Sequence, residues 1–297
     1  MLRVMSRILY EVKRPCRNPE FPVSSALEPI NFRGPFGRIN ATIARPSGTQ
    51  PYAAVLLLQE GIGVTPHLLR VAERLAAEGY LTLVPDLYSR DLARQALSEQ
   101  AVVSGIPIAR SPRREELLAA LSPRERASAE RVVAWFDGRD DSSYFPDTQA
   151  SLAWLAAQPE VRRDAIAAVG FSVGGGLTAK LAASGAELAA GIIFYGGGPP
   201  AGAAAQVRCP LQGHYAEGDP PVTPRVPGVA AALRAAGRAF TPFVSPRTEH
   251  GFFNETRPTY AREAAELAWL RSPEFLKQHL VRASQSLASE RVGTAAR

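Results

Sequence analysis

Ala167-Ala168-Val169-Gly170-Phe171-Ser172-Val173-Gly174-Gly175-Gly176 joins a short apolar run to a serine set among glycines. The apolar half reads as a strand, and Gly174 to Ala183 reads as a helix. Gly-x-Ser-x-Gly between them marks a reversal so sharp that the flanking positions must be small and the serine takes strained backbone angles. Such a turn lifts the Ser172 hydroxyl above the strand ends, beside the positive end of the helix. It also leaves the Val173 amide free to face an oxyanion. Ser172 is therefore the candidate nucleophile. The rival reading is a glycine-rich turn that merely packs a helix close to a sheet.

Working outward, the same alternation recurs. Ala53 to Leu58 is a wholly apolar run, as in a strand covered on both faces. A helix is predicted from about Thr65 to Glu78, where Leu68, Leu69, Ala72, Leu75 and Ala76 keep helical spacing and Gly79 stops it. Strands follow at Leu81 to Val84, Gly191 to Tyr195, near Pro210 to Tyr215 and near Ala239 to Val244, with a helix near Arg225 to Ala236. A long closing helix is expected over 257–279 and an edge hairpin over Asn31 to Pro46. Strands alternating with helices predict an α/β fold, with a mainly parallel central sheet and helices on both faces. Residues 88–146 interrupt the rhythm. They read as a helical insertion after the fourth strand, periodic from Arg113 to Phe136, either a partial lid or a solvated excursion. Residues 1–30 are read as an N-terminal arm, 31–280 as one domain and 281–297 as a flexible tail.

The 297 residues, 46% hydrophobic and 21% charged, suffice for a sizeable core. The net charge of +6 invites a nucleic-acid reading. The arginines between 110 and 131 are interleaved with Glu115, Glu116, Glu125 and Glu130, though, so the basic stripe that phosphates require is missing. Cys16 and Cys209 are too few for a disulfide framework. No run approaches the roughly 18 apolar residues of a membrane span, and the charged start lacks the features of a secretory signal. A cytoplasmic enzyme is the expectation, with no nucleic-acid or membrane partner and no implied oligomeric state.

A serine needs a base within hydrogen-bond reach, and the base needs an orienter. After such a turn the acid and then the histidine follow in chain order. Of the four histidines, His67 falls in an early helix, His214 in a strand and His279 near the C-terminal end. His250, in Thr248-Glu249-His250-Gly251-Phe252-Phe253, follows the strand ending near Ser245, where parallel sheets hold their ligands. Two acids precede it in one loop, Glu217 and Asp219. Asp219, after a glycine and before two prolines, is the better held.

These segments together resemble the dienelactone hydrolase family of α/β-hydrolases. Gln59 to His67, Val71 to Tyr80, Val84 to Tyr88, Tyr195-Gly196, Glu217-Gly218-Asp219 and His250 to Phe253 match in order, over roughly residues 30–280 apart from the insertion. The resemblance implies an α/β-hydrolase fold and cleavage of a small-molecule ester or lactone, with no metal or cofactor. It implies that the Gly61 amide completes an oxyanion hole with Val173, that Glu60 sits beside the nucleophile and that Arg90 binds a substrate carboxylate, unless Arg90 simply salt-bridges the insertion. Tyr195 and Arg257 join these as possible substrate contacts. Two departures stand out. The best-known members carry cysteine where this chain has Ser172, which leaves Glu60 functional or structural. Asn254 stands where the family's second arginine is expected, with Arg257 three residues later. The rival functions are a short-chain carboxylesterase without lactone preference and a catalytically silent binding protein.

Overall fold

The computed structural model describes residues 27–139 and 143–294, with side chains to Leu280. In chain order the elements are β1 Leu27–Gly34, β2 Gly37–Ala44, β3 Tyr52–Leu58, α1 Pro66–Ala77, β4 Leu81–Pro85, α2 Leu92–Gln95, α3 Glu99–Ala109, α4 Arg114–Ala119 and α5 Pro123–Gly138. There follow α6 Tyr144–Ala156, β5 Val161–Phe171, α7 Val173–Ala182, β6 Ala190–Phe194, β7 Leu211–Gly218, α8 Val226–Ala235, β8 Phe240–Glu249 and α9 Arg262–Thr294. The eight strands form one sheet in the order β1-β2-β4-β3-β5-β6-β7-β8. β1–β2 and β2–β4 pair antiparallel, and every later pair is parallel. This is the α/β-hydrolase architecture.

The apolar run in β3 explains the layering. Successive strand side chains point to opposite faces, and here both faces are covered. Val55 and Leu57 join Leu68, Val71 and Leu75 of α1 and Leu276 of α9 in one core layer. Leu56 and Leu58 join Leu155 of α6 and Leu177 and Leu181 of α7 in the other. A strand with no wet face has no use for alternation.

The insertion follows the fourth strand as expected, and its regular elements among the described residues are all helices. Its predicted single stretch from Arg113 to Phe136 is two helices, because Ser122-Pro123 starts α5 afresh. Ser122 and Glu125 cap each other's backbone there, and Pro123 occupies the first turn, where its missing N–H costs nothing. α3 lies close on α5: a Cβ on Gly105 would come within 2.6 Å of Val132 Cβ. Residues 27–30, read as the end of an arm, already belong to β1. The rest of that arm, residues 1–26, lies outside the described residues. α9 is continuous to Thr294, so it runs into the segment expected as a tail, whose side chains lie outside the described ones. Among the described residues no helix is long and apolar enough to cross a membrane.

Candidate functional site

Ser172 occupies the turn between β5 and α7 with φ 54° and ψ −111°, a conformation that non-glycine residues rarely adopt. The turn's neighbours hold it there. Ser172 N–H donates to Phe194 O at 2.9 Å, and Gly174 N–H to Gln59 O at 3.1 Å. The glycines are demanded by contact: a Cβ on Gly170 would lie 2.1 Å from Gly174 O, and one on Gly174 would lie 2.5 Å from Leu58 O.

His250 stands in the turn after β8, where Thr259 Oγ1–H donates to its backbone carbonyl at 3.0 Å and holds the loop. His250 Nε2 is 2.9 Å from Ser172 Oγ. His250 Nδ1 is 2.6 Å from Asp219 Oδ2, a short, charge-assisted distance. Asp219 is buried just past β7, where its own carbonyl accepts from the amides of Val222 and Thr223. The alternative acid, Glu217, is exposed and turned away, accepting the Arg247 amide at 2.8 Å. Ser172, His250 and Asp219 thus come from three loops at one end of the sheet and form one hydrogen-bonded line.

The line opens on a cavity of about 290 Å³. Gly61, Val173, Tyr195, Glu60 and Arg257 all line it. Gly61 sits in a tight turn closed by Gly63 N–H to Glu60 O at 3.0 Å, and Tyr88 Oη–H donates to Gly61 O at 3.0 Å. Glu60 is buried. Its Oε1 accepts from Tyr195 Oη–H at 2.9 Å, its Oε2 from Asn254 Nδ2–H at 2.9 Å, and Arg257 approaches Oε1 at 3.7 Å. These side-chain partners tie the Glu60 turn to the loop carrying His250. Burial, and then the adjoining Glu60 carboxylate, push the Tyr195 hydroxyl far above its ordinary pKa, so it is a donor at any working pH.

Arg90 does not reach the cavity. Its guanidinium pairs with the fully buried Asp147 at the start of α6 and touches Arg38 O. The role as a substrate contact expected from the resemblance is therefore corrected: the Arg90 guanidinium is engaged by a buried carboxylate just beyond the insertion, close to the alternative reading of a salt bridge with it. Arg90 lines a shallower hollow of about 660 Å³ behind the wall formed by Trp135, Arg139 and Tyr144.

The sequence missed most of the far wall. Ile106 of α3, Arg110 just past it, Trp135 and Phe136 of α5, Arg139 and Tyr144 all line the cavity. The Trp135-Phe136 pair at the end of a predicted helix was visible, but nothing local says which way that helix faces. Among the described residues no cluster of three or more His, Cys, Asp or Glu side chains is gathered as a metal site requires.

The dienelactone hydrolase family model matches residues 39–280. A Saccharolobus solfataricus protein named "Putative carboxymethylenebutenolidase" is 28% identical over 249 residues, covering 81% of this chain and 94% of that one. An Escherichia coli K12 protein of the same name is 28% identical over 250 residues, covering 80% and 81%. Among solved structures, a Klebsiella pneumoniae "Putative Dienelactone Hydrolase" superposes with a TM-score of 0.68 at 24% identity, over 86% of this chain and 99% of that chain. A dienelactone hydrolase-like promiscuous phosphotriesterase from metagenomic libraries gives 0.64 at 20%, over 86% and 98%. With the fold, the turn at Ser172 and a family match running from β2 into α9, the chain belongs to the dienelactone hydrolase family of hydrolases.

Proposed function

We propose that this hydrolase cleaves a small carboxylic ester or lactone through an acyl-enzyme on Ser172. The observation that carries the reading is the unbroken line from Asp219 through His250 to a serine held at a strained turn on the cavity wall. Ser172 Oγ adds to the carbonyl carbon while its proton passes to His250 Nε2. Asp219 accepts from Nδ1–H, fixing the tautomer and favouring the imidazolium. The carbonyl electron pair moves onto oxygen, and the amides of Gly61 and Val173 hold that charge, each donor being worth about 10²–10³ in rate. Collapse expels the alkoxide, which takes the proton from Nε2; in a lactone it stays tethered to the acyl group. Water, deprotonated by His250, then adds to the acyl-enzyme and releases the acid. We assign Glu60 to holding the Gly61 turn and the His250 loop together.

The names of the curated relatives support a lactone as substrate. A short-chain carboxylesterase without lactone preference is the second reading, favoured by the engagement of Arg90 with Asp147. Turnover of an enol-lactone against 4-nitrophenyl acetate separates the two. The acyl-enzyme itself is tested by a fluorophosphonate probe and by Ser172→Ala. Labelling of the wild type and loss of both labelling and turnover in the variant are expected. Undiminished turnover in clean Ser172→Ala protein removes the assignment, and no labelling of the wild type points to a silent fold.

A further inference from the structure

Three rings of the insertion line the cavity with their polar edges already engaged. Tyr88 stands between β4 and α2, Trp135 in α5 and Tyr144 at the start of α6, and all three are buried. Tyr88 Oη–H donates to Gly61 O at 3.0 Å, and the Trp135 indole N–H donates to Asp91 Oδ2 at 2.7 Å. The Tyr144 hydroxyl meets the Tyr88 hydroxyl. Tyr195, just past β6, gives its own hydroxyl to Glu60 at 2.9 Å, with its ring 5.1 Å from that of His250. What these side chains offer a substrate is ring surface.

The rings are also fixed relative to one another. Tyr88 lies near-perpendicular to Trp135, with centroids 5.7 Å apart and planes at 89°, and edge-on to Tyr144 at 5.5 Å and 69°. Asp91, which holds the indole N–H, also caps α2 by accepting the Arg94 amide at 2.8 Å, so the indole is tied to the start of that helix. A wall of locked rings presents π faces and positive ring edges at set angles. An incoming ring gains edge-to-face contact there without ordering any side chain. The cavity, at about 290 Å³, lies at the small end of ligand pockets, so a ring bound beside the reacting carbonyl meets this wall. Ile62, Ile106 and Val222 supply aliphatic surface as well.

We propose that Tyr88, Trp135 and Tyr144 select an aromatic ring carried by the ester or lactone. Aryl-bearing esters are then this enzyme's preferred substrates; this rests on Ser172 being the nucleophile of the same cavity. Plain burial works the other way, because a cyclohexyl ring is larger and more apolar than a phenyl ring and gains more from leaving water. Rings that merely pack the insertion onto the sheet therefore favour the cyclohexyl compound, and only a π-selective wall favours the phenyl one.

The test compares kcat/KM for benzyl acetate against cyclohexylmethyl acetate, and for methyl phenylacetate against methyl cyclohexylacetate, each normalised to its hydroxide-catalysed rate. The first pair carries the ring on the alcohol side and the second on the acyl side. Wild type is expected to favour the aromatic member of at least one pair by about twofold to tenfold, the scale of an edge-to-face ring pair. Trp135→Leu should bring that ratio to one or below, and Tyr144→Leu should lower it by a smaller factor. A smaller wild-type preference in both pairs, or a ratio unmoved in both variants, overturns the proposal. If the variants do not fold, competitive inhibition of the wild type by benzyl alcohol and by cyclohexylmethanol decides. Benzyl alcohol should have the lower Ki, and an equal or higher one counts against the wall. Fluorophosphonate labelling runs in parallel. Labelled enzyme without the aromatic preference loses the wall and keeps the Ser172 reading, whereas unlabelled wild type loses both.

Discussion

Asn254 donates its side-chain amide to Glu60 Oε2 at 2.9 Å across 194 residues of chain, joining the loop that carries His250 to the turn that carries Gly61. Both residues are buried, so the bond ties together two parts of the site that the sheet holds only at a distance. Asn254→Ala leaves the Glu60 carboxylate short of one donor. A loss of about 1–3 kcal/mol in stability is expected, the usual cost of an unsatisfied buried group. kcat should fall as well, because His250 and the Gly61 amide lose their common tether. Thermal melts and kcat measured on the same preparation check this; a stable variant with wild-type kcat removes the tether role.

Arg90 offers a contrasting case. Its partner Asp147 is fully buried; Arg90 engages one oxygen of that carboxylate, and the other has no hydrogen-bond partner. Arg90→Ala should therefore destabilise the fold by about 3–5 kcal/mol, the penalty for stranding one member of a buried pair. Selectivity between anionic and neutral esters should hold. A drop in that selectivity at unchanged Tm would return Arg90 to the substrate.

The Ser172 backbone stores strain, since φ 54° with ψ −111° suits glycine and not serine or alanine. Ser172→Gly should be inactive yet more stable than Ser172→Ala by about 1–3 kcal/mol, the range stored in such a conformation. Urea midpoints of the two variants measure the difference, and equal midpoints would mean that the turn is unstrained.

His214, stacked between Phe194 at 4.8 Å and Phe243 at 5.5 Å, is held neutral. Burial first, and then the Arg271 charge, press its pKa down to about 3. The unfolded chain binds this proton near its ordinary value of 6.5 while the folded chain refuses it. Stability must therefore fall as pH drops from about 6.5 towards 3. His214→Gln should flatten that part of the Tm-against-pH curve, and an unaltered curve would assign the slope to other groups.

Much of this architecture was legible because local chemistry dictates it. Gly170, Ser172 and Gly174 are readable since a turn that tight excludes side chains whatever surrounds it, and the apolar run in β3 is readable since a doubly covered strand leaves no polar position. His250 and Asp219 followed from chain order and from where loops leave a parallel sheet. Arg90 stayed open between substrate contact and salt bridge because its partner, Asp147, lies 57 residues on, beyond an insertion whose path depends on how α3 packs against α5. Tyr144 and Arg139 were invisible for the same reason: their meaning depends on which face of α5 and which end of α6 turn inward, and that is settled by Gly105 against Val132 rather than by periodicity.

The two sides of the cavity come from different parts of the chain, and on the proposed reading this decides which changes the catalyst can absorb. The groups proposed to react, Ser172, Asp219 and His250, sit at the ends of strands that the whole core holds in register, while much of the opposing wall comes from residues between Ile106 and Tyr144. Edits within that stretch can retarget the catalyst without touching the machinery that breaks bonds.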